Sequence, residues 1–148
     1  MTKIRDNQRE KIYRAERESV WRIGNTFKDL SEVNVYINYI LKSHYWKKIG
    51  GSSSILVKDG RGRRKACAFN KKTIALPKWA RQEAVILHEL AHTIVNFNYI
   101  KVADHGMEFA KEFLGLIKRF MGKEAYLMLK ESYKENHVHY TKIAKNQK

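Results

Sequence analysis

Hydrophobic and polar positions follow a helical period at both ends of the chain and a shorter period in the middle. Over about residues 4–23, Ile12, Ala15, Val20 and Ile23 recur at roughly helical spacing among charges, which predicts an amphipathic helix. Asp29 followed by Glu32 fits a capping box. Val33, Tyr36, Ile37, Ile40, Leu41, His44 and Tyr45 then recur at three and four, so a second helix opens at Asp29 and stops at the Gly50-Gly51-Ser52-Ser53-Ser54 loop. On that apolar face His44 reads as a core or boundary residue.

The period shortens at Ile55-Leu56-Val57. Asp59-Gly60 is a turn signal, residues 63–69 form a second strand, Asn70-Lys71-Lys72 a second turn and Thr73–Leu76 a third strand. The expected arrangement is a three-stranded antiparallel meander, with an extended ligand able to pair along Thr73–Leu76. Pro77 suits the first turn of a helix. Trp79, Ala80, Ile86, Leu87, Leu90, Ala91, Ile94 and Val95 line one broad face of a helix over about 78–96. After a loop over about 97–105, a fourth helix buries Phe109, Ala110, Phe113, Leu114, Ile117, Phe120 and Met121, and Gly122 ends it. A last helix over about 123–134 leads to a basic tail. The pattern is that of one α+β domain, with residues 1–28 as an N-terminal helical segment and 135–148 as the tail.

The third helix carries His88-Glu89-Leu90-Ala91-His92, an HExxH sequence. Residues i and i+4 share a helical face, so both imidazoles can reach one metal ion. Glu89 is displaced toward the open side of that ion, where it can accept a proton from water rather than ligate. A zinc hydrolase needs a third protein ligand. The metzincin continuation requires glycine and histidine where this chain has Val95 and Asn98, so that class is excluded. A thermolysin-type site would use an acid on the next helix, Glu108 or Glu112. His105 is the better candidate, since it stands at the start of helix four and the intervening loop can fold that helix back across helix three. Gly106 beside it would let the backbone come close to the metal, and Phe109 one turn on would anchor the helix in the core.

Composition adds a partner. The 148 residues carry 30 Lys and Arg against 15 Asp and Glu, a formal charge of +15, which favours a polyanion such as nucleic acid. Residues 58–81 hold Lys58, Arg61, Arg63, Arg64, Lys65, Lys71, Lys72, Lys78 and Arg81 against Asp59 alone. Such a ribbon can track the phosphates of single- or double-stranded DNA, with Phe69 and Trp79 to stack on bases. Lys58, Arg61, Arg63, Arg64, Lys65, Lys71 and Lys72 are the candidate contacts. A single cysteine, Cys67, excludes an internal disulfide framework and reads as a small strand residue. With a charged N-terminus and no apolar run of membrane length, it points to the cytoplasm or the nucleoid. Trp21 and Trp46 read as core, His137 and His139 as surface histidines, and Tyr99, Tyr133 and Tyr140 as open choices for an oxyanion donor.

HELAH followed by HGMEF resembles the SprT-like zinc metallopeptidases, whose eukaryotic member is Spartan. That family shows HExxH and then a His-Gly-x-x-Phe segment carrying the third ligand, with a β-strand before the first motif, as Thr73–Leu76 stands here. The resemblance implies a zincin-like domain with the HExxH active-site helix packed beside a small three-stranded antiparallel sheet. It implies zinc as cofactor, His88, His92 and His105 as its ligands, Glu89 as catalytic base, and a protein substrate bound or crosslinked to DNA. Met107 stands where the family usually has proline, and the cysteine-rich zinc ribbon is missing. Two other classes share parts of the pattern. A basic nucleic-acid-binding module with structural zinc would show a fourth protein ligand. An ImmA-like regulator protease has HExxH with an acidic third ligand.

Overall fold

A computed structural model describes residues 4–62, 65–68 and 72–141. Those residues form six α-helices and one small mixed sheet, an α+β arrangement. The opening helix, α1 (Arg9–Arg17), is shorter than its periodicity predicts. Ser19 leaves helical geometry at φ −133° and ψ −94°, and a separate 3-10 turn follows at Val20–Arg22. Its apolar stripe still turns inward, with Ile12, Ala15 and Val20 fully buried.

Asp29 caps α2 (Leu30–Lys42) by accepting from the Glu32 amide at 3.0 Å, and the Glu32 carboxylate accepts from the Lys28 amide at 2.6 Å. The helix breaks at Ser43, whose backbone is extended and whose hydroxyl accepts from the Trp46 amide to start α3 (His44–Lys48). That restart turns His44 out to solvent, contrary to the uninterrupted face expected for it, and turns Trp46 into the core, while Trp21 is half-buried.

The sheet departs from the expected meander. Its strands are β1 (Leu56–Asp59), β2 (Cys67–Ala68) and β3 (Thr73–Leu76), in the spatial order β1-β3-β2. β3 pairs parallel with β1 and antiparallel with β2. Burial explains the order. Ile74, Ala75 and Leu76 are the buried strand residues and take the centre, while β1 and β2 are exposed or half-buried and take the edges. Asp59-Gly60 does not close a hairpin, because the Gly60 amide carries on the ladder to the Leu76 carbonyl at 3.2 Å. With a neighbour on each side, β3 cannot accept an added strand.

The HExxH helix, α4 (Glu83–Asn98), begins five residues later than periodicity predicts. Residues 25–27 cause the delay. The Phe27 amide donates to the Arg81 carbonyl at 2.8 Å and the Glu83 amide to the Asn25 carbonyl at 2.9 Å, which holds Gln82 extended opposite Thr26. Lys78–Ala80 is therefore a 3-10 turn that leaves Trp79 half in solvent instead of on the helix face. The Glu83 carboxylate ties the three parts together, accepting from the Asn25 amide at 3.1 Å and from the Tyr36 hydroxyl at 2.7 Å.

α5 (Met107–Phe120) packs on α4, α6 (Lys123–Glu135) on α5, and α1 on α6. Gly122 separates α5 from α6 at φ +100°, a left-handed conformation that glycine adopts without strain. One hydrophobic cluster runs through α1, α2, β3, α4, α5 and α6. No described helix is long and apolar enough to cross a membrane.

Removing the hydroxyl that Glu83 accepts from tests how α4 is fixed. Tyr36→Phe should cost about 1–3 kcal/mol of stability, because a buried carboxylate loses a donor. A lower urea midpoint, with metal affinity unchanged, is the expected result.

Candidate metal centre

His88 and His92 leave α4 one turn apart, and His105 comes from the loop two residues before α5. Their Nε2 atoms converge. His92 Nε2 lies 3.2 Å from His88 Nε2 and 3.1 Å from His105 Nε2. One nitrogen from each histidine lies within 4.8 Å of the others, close enough to hold a metal ion. His88 and His105 are buried and His92 is half-buried. Neither Glu108 nor Glu112 belongs to this set, and the Glu112 carboxylate accepts from the Tyr99 hydroxyl at 3.1 Å.

Phe109 floors the cluster. It is fully buried, stacks on His92 at 4.4 Å between ring centroids, and lies 4.7 Å from the His88 ring. Gly106 has a different role from the one its position suggests. It is the residue before α5, at an ordinary φ of −77°, and a Cβ there would meet Glu108 and Ala103 rather than the histidines.

Two carboxylates that sequence reasoning missed stand behind the ligands. Glu16 of α1 is fully buried and its oxygens lie 2.7 and 2.8 Å from His88 Nδ1. The Asp6 carboxylate lies 2.8 Å from His105 Nδ1 and accepts from the His105 amide at 3.1 Å. Glu16 sits four residues after Ile12 and next to Ala15, on the buried stripe of α1, and an acid in an apolar stripe is the signal that could have found it. Asp6, 99 residues from His105, carries no such local signal.

These outer bonds determine what the inner atoms can do. With Nδ1–H donated outward, Nε2 of His88 and of His105 each presents a lone pair inward. His92 Nε2 faces both and can give a proton to only one of them at a time. A shared cation resolves this. Tetrahedral zinc at about 2.0–2.1 Å from its ligands spaces their nitrogens about 3.3 Å apart, close to the separations found here. Neutral imidazole with a carboxylate behind it suits zinc, copper, iron and nickel rather than calcium or magnesium.

Burial controls the protonation of the group. It lowers the His88 and His92 pKa values well below the usual imidazole range, with the neighbouring imidazoles adding to the effect, so both rings stay in the ligating neutral form. Burial raises Glu16 to about 8. Burial and then the Glu16 charge raise Glu89 to about 8. The Glu16–His88 contact is therefore a fully buried hydrogen bond rather than an exposed ion pair.

Glu89 is almost fully buried, with its Oε2 4.0 Å from His88 Nε2. It opens onto a cavity of about 290 Å³ lined by His88, Tyr13, Trp21, Trp79 and Lys65 among others. Tyr13 of α1 stacks on His88 at 5.3 Å and 23° and lies 5.2 Å from the His105 ring. The three tyrosines considered from sequence stand elsewhere. Tyr99 is bonded to Glu112, Tyr133 is fully buried with its hydroxyl toward the Ala110 carbonyl, and Tyr140 packs on Tyr133.

Of the basic ribbon, Lys58, Arg61, Lys65 and Lys72 are exposed, and Arg61 lies 3.8 Å from Asp59. Lys65 reaches the cavity wall. Arg63, Arg64, Lys71 and Phe69 lie outside the described residues. Arg81 is structural. It is buried, 3.2 Å from Asp59, and donates to the Leu76 carbonyl. His137 and His139 are exposed and Cys67 is half-buried. No protein family, curated protein or solved structure matches the chain.

Metal affinity, measured by competition with a chromophoric chelator, should fall as far in His105→Ala as in His92→Ala. Glu16→Gln and Asp6→Asn should each cost about 10–100-fold, the usual effect of removing an outer carboxylate. Unchanged affinity in His105→Ala would remove it from the ligand set.

Proposed function

We propose that the chain is a zinc-dependent metallopeptidase of SprT-like, zincin-like type. The observation that carries this reading is the convergence of His88, His92 and His105 beside a buried Glu89 that opens onto a cavity. Among the described residues the cluster offers three ligands, the number typical of a reactive zinc site, whereas a purely structural site uses four. An imidazole in third place speaks against the ImmA-like alternative, whose third ligand is acidic.

When bound, zinc would polarise the scissile carbonyl and acidify a water molecule. The chain's own groups do the rest. Glu89 takes a proton from the attacking water as the water oxygen bonds to the carbonyl carbon, and passes that proton to the leaving nitrogen as the C–N bond breaks. Glu16 and Asp6 hold His88 and His105 in the tautomer that presents Nε2. Trp21, Trp79 and Val85 give the cavity an apolar wall opposite its charged rim of Glu10, Arg17 and Lys65. An extended peptide in it would run past Lys65 and Ala66, the lead-in to the edge strand β2, and not along β3.

The charge supports a DNA-associated protein as substrate. Lys58, Arg61, Lys65 and Lys72 form an exposed basic stretch, and Lys65 lies on the rim of the proposed cleft.

Two measurements test this. Glu89→Gln should retain zinc and melting temperature but lose cleavage of a DNA-bound protein, since an amide cannot take the proton. Cleavage at the parental rate would remove Glu89 from its role.

DNA affinity of the parent should fall steeply with salt. Reversing Arg61, Lys65 and Lys72 to Glu should flatten the log–log slope by about three contacts' worth, roughly 0.9 each on duplex DNA, without touching zinc content. A flat salt dependence in the parent would separate the protease from DNA.

A further inference from the structure

We propose that Tyr13 is a catalytic residue whose hydroxyl donates a hydrogen bond to the carbonyl oxygen of the scissile peptide as negative charge develops on it. The inference rests on the peptidase reading and adds the donor that reading lacks.

The placement comes from α1. Asp6, ahead of the helix, is bonded to His105, and Glu16, one turn after Tyr13, is bonded to His88. The segment carrying Tyr13 is therefore fixed to the metal-binding cluster on both sides. Between these ties the Tyr13 ring lies nearly parallel to the His88 ring, 5.3 Å away. It shares the wall of one cavity with His88 and Glu89.

The hydroxyl is available. Tyr36, Tyr99 and Tyr133 each give theirs to an acceptor in the protein, whereas the Tyr13 hydroxyl has no hydrogen-bond partner among the described residues. It is not sealed from solvent either, since no buried side-chain polar atom is left unsatisfied. A phenol is a donor at neutral pH. A donor held rigidly beside the reacting atoms stabilises developing charge without reorganising first. Trp21 and Trp79, the other aromatic groups on this wall, are 5.8 Å apart and serve as shape.

A packing role for the ring alone predicts a different outcome, and Tyr13→Phe separates the two because it keeps the ring and removes only the hydroxyl. In the zinc-loaded full chain the variant should keep its zinc content and melting temperature. Its kcat should fall by about 10²–10³-fold, the usual loss for one oxyanion donor, with KM little changed.

A binding measurement gives the independent readout. A phosphinic peptide, whose tetrahedral oxygens imitate the charged state, should bind Tyr13→Phe more weakly than the parent by a comparable factor. The matching amide peptide, tested on Glu89→Gln with and without Tyr13→Phe, should bind equally to both. Equal phosphinate affinity in parent and Tyr13→Phe would overturn the role of Tyr13 and leave the peptidase reading intact. A parent that binds neither phosphinate nor amide peptide would overturn both. Lost zinc in Tyr13→Phe would reduce Tyr13 to a packing residue and so also overturn the proposal.

Discussion

A buried carboxylate is the constraint on which the rest of the structure depends. Glu16 has no exposed surface, and an uncompensated carboxylate at such a place costs several kcal/mol. It is tolerated because His88 Nδ1 lies within 2.8 Å of both oxygens and Trp21 Nε1 donates to one at 3.0 Å. Each partner would be poorly placed without the others. Trp21 belongs to the turn that ends the first helical segment, and His88 to the long helix that crosses beneath it. One polar contact therefore ties α1 to α4, while the buried Ile12 and Ala15 of α1 belong to the core that α1 shares with α6.

The same logic extends outward to the third histidine. Asp6 binds both the ring and the backbone amide of His105, so the loop before α5 cannot move without the segment before α1. Gln8 continues the tie. Its amide nitrogen donates to the His105 carbonyl at 3.3 Å and to the His139 carbonyl at 3.1 Å. Residues from both ends of the described chain thus close on the cluster. A cation held by the three Nε2 atoms stabilises this closed arrangement over any state in which α1 is displaced, since metal binding and folding draw on the same contacts.

How much of this was legible in the sequence depended on the range of the interaction. HExxH on a helix, and a following helix led by His105, follow from local spacing, and both elements form with the histidines together. The Asp29 cap, the Gly122 stop and the last helix are equally local. The sheet was not. Turn signals at Asp59-Gly60 and Lys71-Lys72 suggest neighbours in sequence, but the order is set by which strand is most apolar, and that is the last one. The late start of α4 likewise comes from pairing with residues 25–27, invisible from the helix itself. Glu16 and Tyr13 were hidden for another reason. They sit in a segment rich in charge, where the place of Glu16 on the Ile12–Ala15 stripe is the one local sign that it turns inward.

The sidedness of the cluster follows from these layers and bears on its chemistry. Phe109 closes the floor, α1 covers the His88 side through Glu16, and Asp6 with Gln8 covers the His105 side. One cavity, bordered by Glu89 and Tyr13, reaches His88, and another, bordered by Asp6 and Asp104, reaches His105. A site meant only to brace the fold gains nothing from such an opening, because a fourth protein ligand would bind the metal more tightly and exclude water. Here the opening carries a costly group, since Glu89 is almost fully buried and its carboxyl is pushed up to about 8. Apolar contact would have stabilised the fold more cheaply at that position. Burial and the nearby Glu16 charge together raise the proton affinity of Glu89 beside the histidine set, which is what a group that takes up and releases a proton requires.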